Sequence, residues 1–244
     1  MEADASNLRY SRLRWNTPLS DAHAEVLLDR FELPAATILD LGCGWGELMV
    51  QTLVRSTADT ARGAHAVGID TDATLLDRGR RLAERRGIAP SVRFVQMSAS
   101  DWREPADRVL CIGAAHAWGG TAAALQALPH VVNPQGLLLF GDGCWERPPT
   151  PAAAAMFSEV LPLTKVVSVA RDAGWRVMHL STASQHEWDD FESRHRAGSE
   201  LSLRAETDTT VRDRARSALD ARLSEYLDIY RGVLGFAYLV LAPA

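Results

Sequence analysis

The sequence predicts an α/β protein whose strands lie in one sheet covered by helices on both faces. Three observations carry that prediction. Short, nearly continuous apolar runs rich in β-formers recur along the chain. Helical patterns fill the gaps between them. One strand-to-helix junction is built from closely spaced glycines, in ILDLGCGWGE at 38–47.

The elements follow in order. Residues 1–34 read as a helical arm ahead of the first strand. TILDLG (37–42), HAVGID (65–70), VRFVQM (92–97), RVLCIG (108–113) and GLLLFGD (136–142) read as five strands. Their continuous apolar character is that of strands covered on both faces. The stretch 72–87 reads as an amphipathic helix. Leu75, Leu76, Leu82 and Ala83 form its apolar face, Arg78, Arg81, Arg85 and Arg86 point to water, and Gly87 stops it. WRVMHLS (175–181) and VLGFAYLVLA (233–242) read as the sixth and seventh strands. Between them, 183–231 contains no proline and repeats Leu219, Leu223, Tyr226, Leu227 and Tyr230 at helical spacing. A connection that long exceeds what a hairpin needs, as lids and binding loops do. The chain reads as one domain: arm (1–34), core (35–182), helical insertion (183–231) and final strand (232–244).

Composition excludes several classes. The 244 residues are 47% hydrophobic and 23% charged, an ordinary globular balance. A net charge of −5 argues against a broad nucleic-acid-binding face. Lys165 is the only lysine, so the basic residues are almost all arginine. That bias reads as GC-rich codon usage, which suits a bacterial gene and bacterial metabolism, secondary metabolism included. Cys43, Cys111 and Cys144 are odd in number and far apart, which predicts neither a disulfide framework nor a metal site. No secretory leader or membrane-spanning run is evident, so the expected location is the cytoplasm.

The glycine junction carries the chemistry. Glycines are needed where backbone turns sharply and passes close to a ligand with no Cβ in the way. The second strand ends in Asp70, where an acidic residue commonly pairs with a ribose diol. Asp70 also stands where it can cap the next helix. A dinucleotide site wants GxGxxG, but this chain has GxGxG, with Glu47 where the further glycine belongs. A carboxylate there sits poorly beside a pyrophosphate, which disfavours a nicotinamide oxidoreductase. S-adenosylmethionine has no phosphate and tolerates it.

With these residues the chain resembles the class I S-adenosylmethionine-dependent methyltransferases, and most of all small-molecule enzymes with a UbiE-type or YjhP-like core. The closer resemblance is carried by TPLSDAHAEVLLDRF, IGAAHAWGG, FGDGCWERPP, HEWDDFE and YRGVLGFAYLVL. It implies a Rossmann-like doubly wound sheet of seven strands, the seventh antiparallel, with a helical lid between strands 6 and 7. It implies S-adenosyl-L-methionine as cofactor and S-adenosyl-L-homocysteine as product. Asp40, Gly42, Cys43, Gly44 and Gly46 match the loop that holds the methionine part. Asp70 and Thr71 match the ribose site, and Ser98 and Ala99, in MSASDW, match the adenine turn. The family often has Asp or Asn at Ser98, so Asp101 is an alternative acceptor there. Gly113 falls at the end of the fourth strand, between cofactor and substrate.

Ligands of open α/β sheets bind beyond the carboxyl ends of the strands. Trp45 and Trp118, Trp145 and Glu146 fall there, and Trp15 lies in the arm. Trp15, Trp118, Trp145 and Glu146 are the expected acceptor-binding residues, in an aromatic-lined pocket. Any one tryptophan is as readily core filling. His116 is the expected general base or substrate-orienting group, with Glu146 and Glu187 behind it. A helix-start histidine is also a common structural choice. His65, His130, His179 and His195 read as structural. The expected partner is a small-molecule methyl acceptor, with no nucleic acid, membrane or metal, in a monomer or homodimer. Fold does not fix function, so a cyclisation on the same fold and a non-catalytic cofactor-binding subunit are the alternatives.

Overall fold

The computed structural model describes residues 10–31, 36–59, 63–204 and 206–244. The first described helix, α1 (Asp21–Arg30), precedes β1 (Thr37–Leu41), α2 (Glu47–Asp59), β2 (His65–Asp70), α3 (Ala73–Arg85) and β3 (Val92–Gln96). Then come β4 (Ala106–Ile112), α4 (Thr121–Ala127), β5 (Val132–Trp145), α5 (Pro151–Met156), β6 (Leu161–Pro162) and α6 (Leu163–Asp172). β7 (Trp175–Thr182), α7 (Gln185–Arg204), α8 (Thr209–Glu225) and β8 (Leu234–Pro243) complete the chain. The strand order is β3-β2-β1-β4-β5-β8-β7, and only β8 in that path runs antiparallel to its neighbours. The sheet thus has the doubly wound topology. An eighth strand, the two-residue β6, was not expected. It pairs Leu161 and Pro162 with Cys144 and Trp145 of β5, a piece too short for any periodicity to register.

Strand alternation explains why the strands read as continuously apolar. Ile38, Leu110, Leu139, Tyr238 and Val240 bury themselves with Leu27, Phe31, Met49, Leu53 and Leu76 of α1, α2 and α3. Leu39, Leu41, Val109, Cys111, Leu138, Phe140 and Leu239 turn the other way, toward Leu125, Val166 and Trp175. Each strand therefore feeds two cores with successive residues. Each fully buried Leu or Ile contributes about 1.5–3 kcal/mol of transfer free energy. The apolar runs therefore favour this layering strongly over a sheet with one face in water.

Helix α3 starts at Asp72, not Asp70: the Asp72 carboxylate accepts from the backbone N–H of Thr74 at 2.8 Å and of Leu75 at 3.3 Å. Its apolar face is Leu75, Leu76, Gly79, Leu82 and Ala83. Two of the arginines expected in water are engaged instead. Arg78 donates to the carbonyls of Tyr10 at 2.9 Å and Leu13 at 2.8 Å, and Arg86 reaches Glu47 at 2.6 Å. Both partners are distant in sequence, so helical spacing alone leaves them unseen.

The 183–231 segment holds α7, α8 and a π-helical turn at Tyr226–Tyr230. Tyr226 and Tyr230 are buried, whereas Leu223 and Leu227 of the expected apolar face are exposed. Ion pairs tie α8 to α7. Arg222 forks onto both oxygens of Glu192 at 3.0 Å each, and Arg196 reaches Asp220 at 2.7 Å. Among the described residues no helix is long and apolar enough to cross a membrane.

Candidate active site

β1 delivers the chain into the glycine loop. Gly42, Gly44 and Gly46 all have positive φ, at 75°, 55° and 66°. Any other residue pays a steric penalty in that region. At Gly42 there is a second reason: a Cβ there would lie 2.4 Å from Cβ of Ala114. The loop is tied to β2 through its backbone. Gly42 N–H and Cys43 N–H both donate to the carbonyl of Ile69, at 2.8 and 2.9 Å. Asp70 accepts from Gly44 N–H at 2.8 Å and from Asp72 N–H at 2.9 Å, on different oxygens. A carboxylate has about four lone-pair sites, so each Asp70 oxygen retains one.

A cavity of about 280 Å³ opens above this loop, at the carboxyl ends of β1, β2 and β4. Asp40, Gly42, Cys43, Gly44, Asp70, Thr71, Ser98, Ala99, Gly113, His116 and Trp15 all line it. Gly46 does not. It lies beneath the loop, where a Cβ would meet Met49 at 3.0 Å and Phe94 at 3.1 Å. Phe94 is a plug for which Gly46, Gly68 and Gly79 make room together.

Asp40 is the most perturbed carboxyl in the cavity. Burial, and then the neighbouring charge of Asp70, push it up to about 8. A cation bound beside it would offset both effects. The Cys43 thiol rises well above its usual range for the same causes, so it is a neutral packing group and not a nucleophile. Glu47, buried in the first turn of α2, accepts from Arg86, Gln51 and Arg14 at 2.6, 2.9 and 3.3 Å.

The arm forms the opposite wall, with Arg14, Trp15, Asn16, Thr17 and Leu19. Trp45 donates its indole N–H to the Arg14 carbonyl at 3.0 Å, and the Arg78 guanidinium lies 3.7 Å from its ring centre. At the other end, His23 donates from Nδ1 to Glu187 at 3.1 Å. In that tautomer its Nε2 accepts from the Ser181 hydroxyl, 2.7 Å away. Glu187 also accepts from Ser20 N–H at 2.8 Å and Ser184 N–H at 2.7 Å, which holds its carboxyl down near 2 despite burial. Glu187 therefore fastens the arm to the start of α7. It lines a neighbouring cavity of about 350 Å³ and not the one above the glycine loop.

Three expected acceptor residues stand elsewhere. Trp145 is buried with Phe157, Tyr226, Tyr230 and Leu234 behind the end of β5. Trp118 packs against the core beneath α4 and α6. Glu146 is exposed, folded against Gly235. β5 runs on through Trp145, which pairs with Pro162 and Leu234 inside the sheet, and Trp118 and Glu146 follow strand ends in turns whose direction residue order does not reveal. Reading by residue type also missed the arm residues other than Trp15.

The glycine turn, Asp70 at the end of β2 and the buried Asp40 thus meet in one cavity at the carboxyl end of a doubly wound α/β sheet. The family described as "Methyltransferase domain" matches residues 38–136. The uncharacterized protein YjhP of Escherichia coli (strain K12) is 28% identical over 216 residues, covering 85% of each chain. A SAM-dependent methyltransferase from Geobacter sulfurreducens, solved with S-adenosyl-L-homocysteine, superposes with a TM-score of 0.87 at 25% identity, over 99% of this chain and 98% of that one. One from Thiobacillus denitrificans, solved with the same ligand, gives 0.85 at 26% identity over 98% of both. These likenesses support a class I S-adenosylmethionine-dependent methyltransferase, with S-adenosylmethionine as the cofactor.

Proposed function

We propose that this protein methylates a small-molecule acceptor, in bacterial metabolism, at a site formed between the glycine loop and the arm. The observation that carries the reading is the single cavity that gathers Asp40, Gly44, Asp70, Ser98 and His116 under the arm. Its volume, and a net charge of −5, favour a small acceptor over a nucleic acid. Asp40 would face the methionine ammonium, with Gly42 and Gly44 allowing close approach. Asp70 and Thr71 would hold the ribose, and Ser98 and Ala99 the adenine. Bound S-adenosylmethionine supplies a methyl carbon already made electrophilic by its sulfonium. The residues need only align a nucleophile and exclude water. Trp15 and Thr17 of the arm, with α7 behind them, serve as the lid.

His116 stands on the turn Ala115–Trp118 after β4, exposed toward the cavity, and is the group to take the acceptor's proton. The test is calorimetric titration with S-adenosylmethionine and S-adenosylhomocysteine, with NAD as control, on the wild type and Asp70→Ala. Binding of both sulfur nucleotides, weakened at least tenfold in the variant, is expected. Equal binding by Asp70→Ala overturns the ribose assignment. For the acceptor, S-adenosylhomocysteine release is followed across a panel of small hydroxyl, amine and enolic compounds. His116→Gln turning over at the wild-type rate overturns the base.

A further inference from the structure

Glu187, His23 and Ser181 form a relay of two hydrogen bonds, and none of the three lines the cavity above the glycine loop. Glu187 lies at the start of α7, His23 in the first turn of α1 and Ser181 near the end of β7. Glu187 accepts from His23 Nδ1 at 3.1 Å, and the Ser181 hydroxyl lies 2.7 Å from His23 Nε2. The Glu187 carboxyl, near 2 despite burial, is ionised and can only accept. The proton between the two therefore sits on Nδ1, and in neutral His23 the Nε2 lone pair meets the Ser181 hydroxyl. The imidazole is held in place, 13% exposed and edge-on to the Tyr238 ring at 5.1 Å. Tyr238 does not compete for it, because its hydroxyl donates to the Pro18 carbonyl at 2.9 Å and meets Thr17 at 3.0 Å. The clasp between arm and α7 accounts for the bonds that Ser20, His23 and Ser184 make to Glu187. It does not account for a half-buried hydroxyl held against the other ring nitrogen. That hydroxyl also stands at an open sheet edge. β7 ends the strand order, and among the described residues only β8 pairs with it. Ala183 N–H donates inward to the Phe236 carbonyl at 2.9 Å. Residues of an antiparallel strand turn alternately toward and away from their partner, so Thr182 N–H points away from β8.

We propose that Ser181 is an activated nucleophile that takes acyl groups from small esters, with His23 as its base and Glu187 as the group that orients His23. This is a second reactive centre, and it stands or falls independently of the methyl-transfer reading. The Ser181 hydroxyl proton passes to His23 Nε2 as the oxygen bonds to the ester carbonyl carbon. The displaced electron pair moves onto the carbonyl oxygen, for which Thr182 N–H, one residue after the nucleophile, is the backbone donor. The pair then returns, the ester C–O bond breaks, and the leaving oxygen takes the proton from His23 and departs as an alcohol. Ser181 is left acylated. Water, giving its proton to the same imidazole, releases the acyl group as a carboxylic acid and restores the hydroxyl. Ser181 and His23 touch the reacting atoms. Glu187 acts through His23 and is a positioning residue.

The experiment is incubation of the full chain with a fluorophosphonate, which phosphorylates an activated serine and releases fluoride, followed by peptide mass spectrometry. Cleavage of p-nitrophenyl acetate is followed in parallel. The label is expected on Ser181 in the wild type, with nothing at that position in Ser181→Ala. His23→Gln is expected to slow the labelling by about a hundredfold or more. No label on Ser181 in the folded wild type overturns the proposal, because a hydroxyl that only satisfies the imidazole is inert. Labelling at the wild-type rate in folded His23→Gln overturns it equally. Where His23→Gln does not fold, Glu187→Gln reads the same relay, since its amide oxygen still accepts from His23. Labelling there is expected to slow by about tenfold or more, and kcat for p-nitrophenyl acetate to fall with KM unchanged, because Glu187 touches no substrate. An unchanged labelling rate and kcat in folded Glu187→Gln also overturns the proposal.

Discussion

The two walls of the cavity are fastened by different means. The glycine-loop wall is held by backbone. Gly42, Cys43 and Gly44 donate their N–H groups to β2 within a span of residues that the sequence shows as one motif. The arm wall is held by side chains reaching far along the chain. His23 and Glu187 are 164 residues apart, and Thr17 and Tyr238 are 221 apart. A backbone-built wall is rigid and specified by local residue choice. A side-chain-built wall depends on several partners at once, and losing any one loosens it. On our proposal the first wall would seat the cofactor and the second would cover it.

The sharpest test of that contrast is Gly42→Ala. Its Cβ would lie 2.4 Å from Ala114 Cβ at a φ of 75°. Strain and overpacking together cost on the order of 2–5 kcal/mol. Calorimetry should find S-adenosylhomocysteine binding lost, or weakened more than a hundredfold. Normal affinity would mean that the loop is as adaptable as the arm.

Glu187→Ala should come next in size. It removes the acceptor for His23, Ser20 and Ser184 and costs about 3 kcal/mol of stability. Because the Glu187 carboxyl sits near 2, its stabilisation is present above the ordinary carboxylate range. That stabilisation is lost as pH falls toward 2. Thermal unfolding of Glu187→Gln should therefore lose part of the acid limb seen in the wild type. An identical acid limb would remove Glu187 as the clasp.

Asp40 tests the other wall through pH. Its pKa of about 8 in the cofactor-free fold means that it holds a proton at neutral pH. Folding stability from this group is therefore greatest at low pH and declines as pH rises through 8. Binding of an ammonium needs the ionised form. Affinity for S-adenosylhomocysteine should rise with pH below 8, by up to about tenfold per unit, and level off above it. Asp40→Asn should flatten that slope. A slope that persists in the variant would assign the proton elsewhere.

The smallest effect is expected of Arg78→Ala. It frees the carbonyls of Tyr10 and Leu13 and uncovers the Trp45 ring, at a cost of about 1–2 kcal/mol. Stopped-flow release of S-adenosylhomocysteine should be several-fold faster with little change in the on-rate. An unchanged off-rate would show that the arm does not gate the cavity.

Much of the fold was legible in advance because strand alternation writes itself into apolar runs. All seven principal strands fall within a few residues of their expected bounds. The glycine loop was equally legible, since few other needs place three glycines at alternate positions. Less legible were residues whose work depends on what they meet. Arg78 reads as a solvated helix face until Tyr10 and Leu13 are brought above it. Trp145 reads as a pocket wall until β5, extending through it, sets it against Tyr226 and Tyr230. Asp142 reads as the end of a strand until Thr121 arrives beside it.

The sequence by itself determined the doubly wound sheet, the glycine cradle and the acid at the end of β2. Each is set by local sterics, by burial of alternate side chains, or by a short span of backbone. Only the tertiary structure decided which face of the arm lines the cavity and which tryptophans reach it. Those outcomes depend on side chains from elements more than a hundred residues apart sharing one small volume, and no local propensity encodes that meeting.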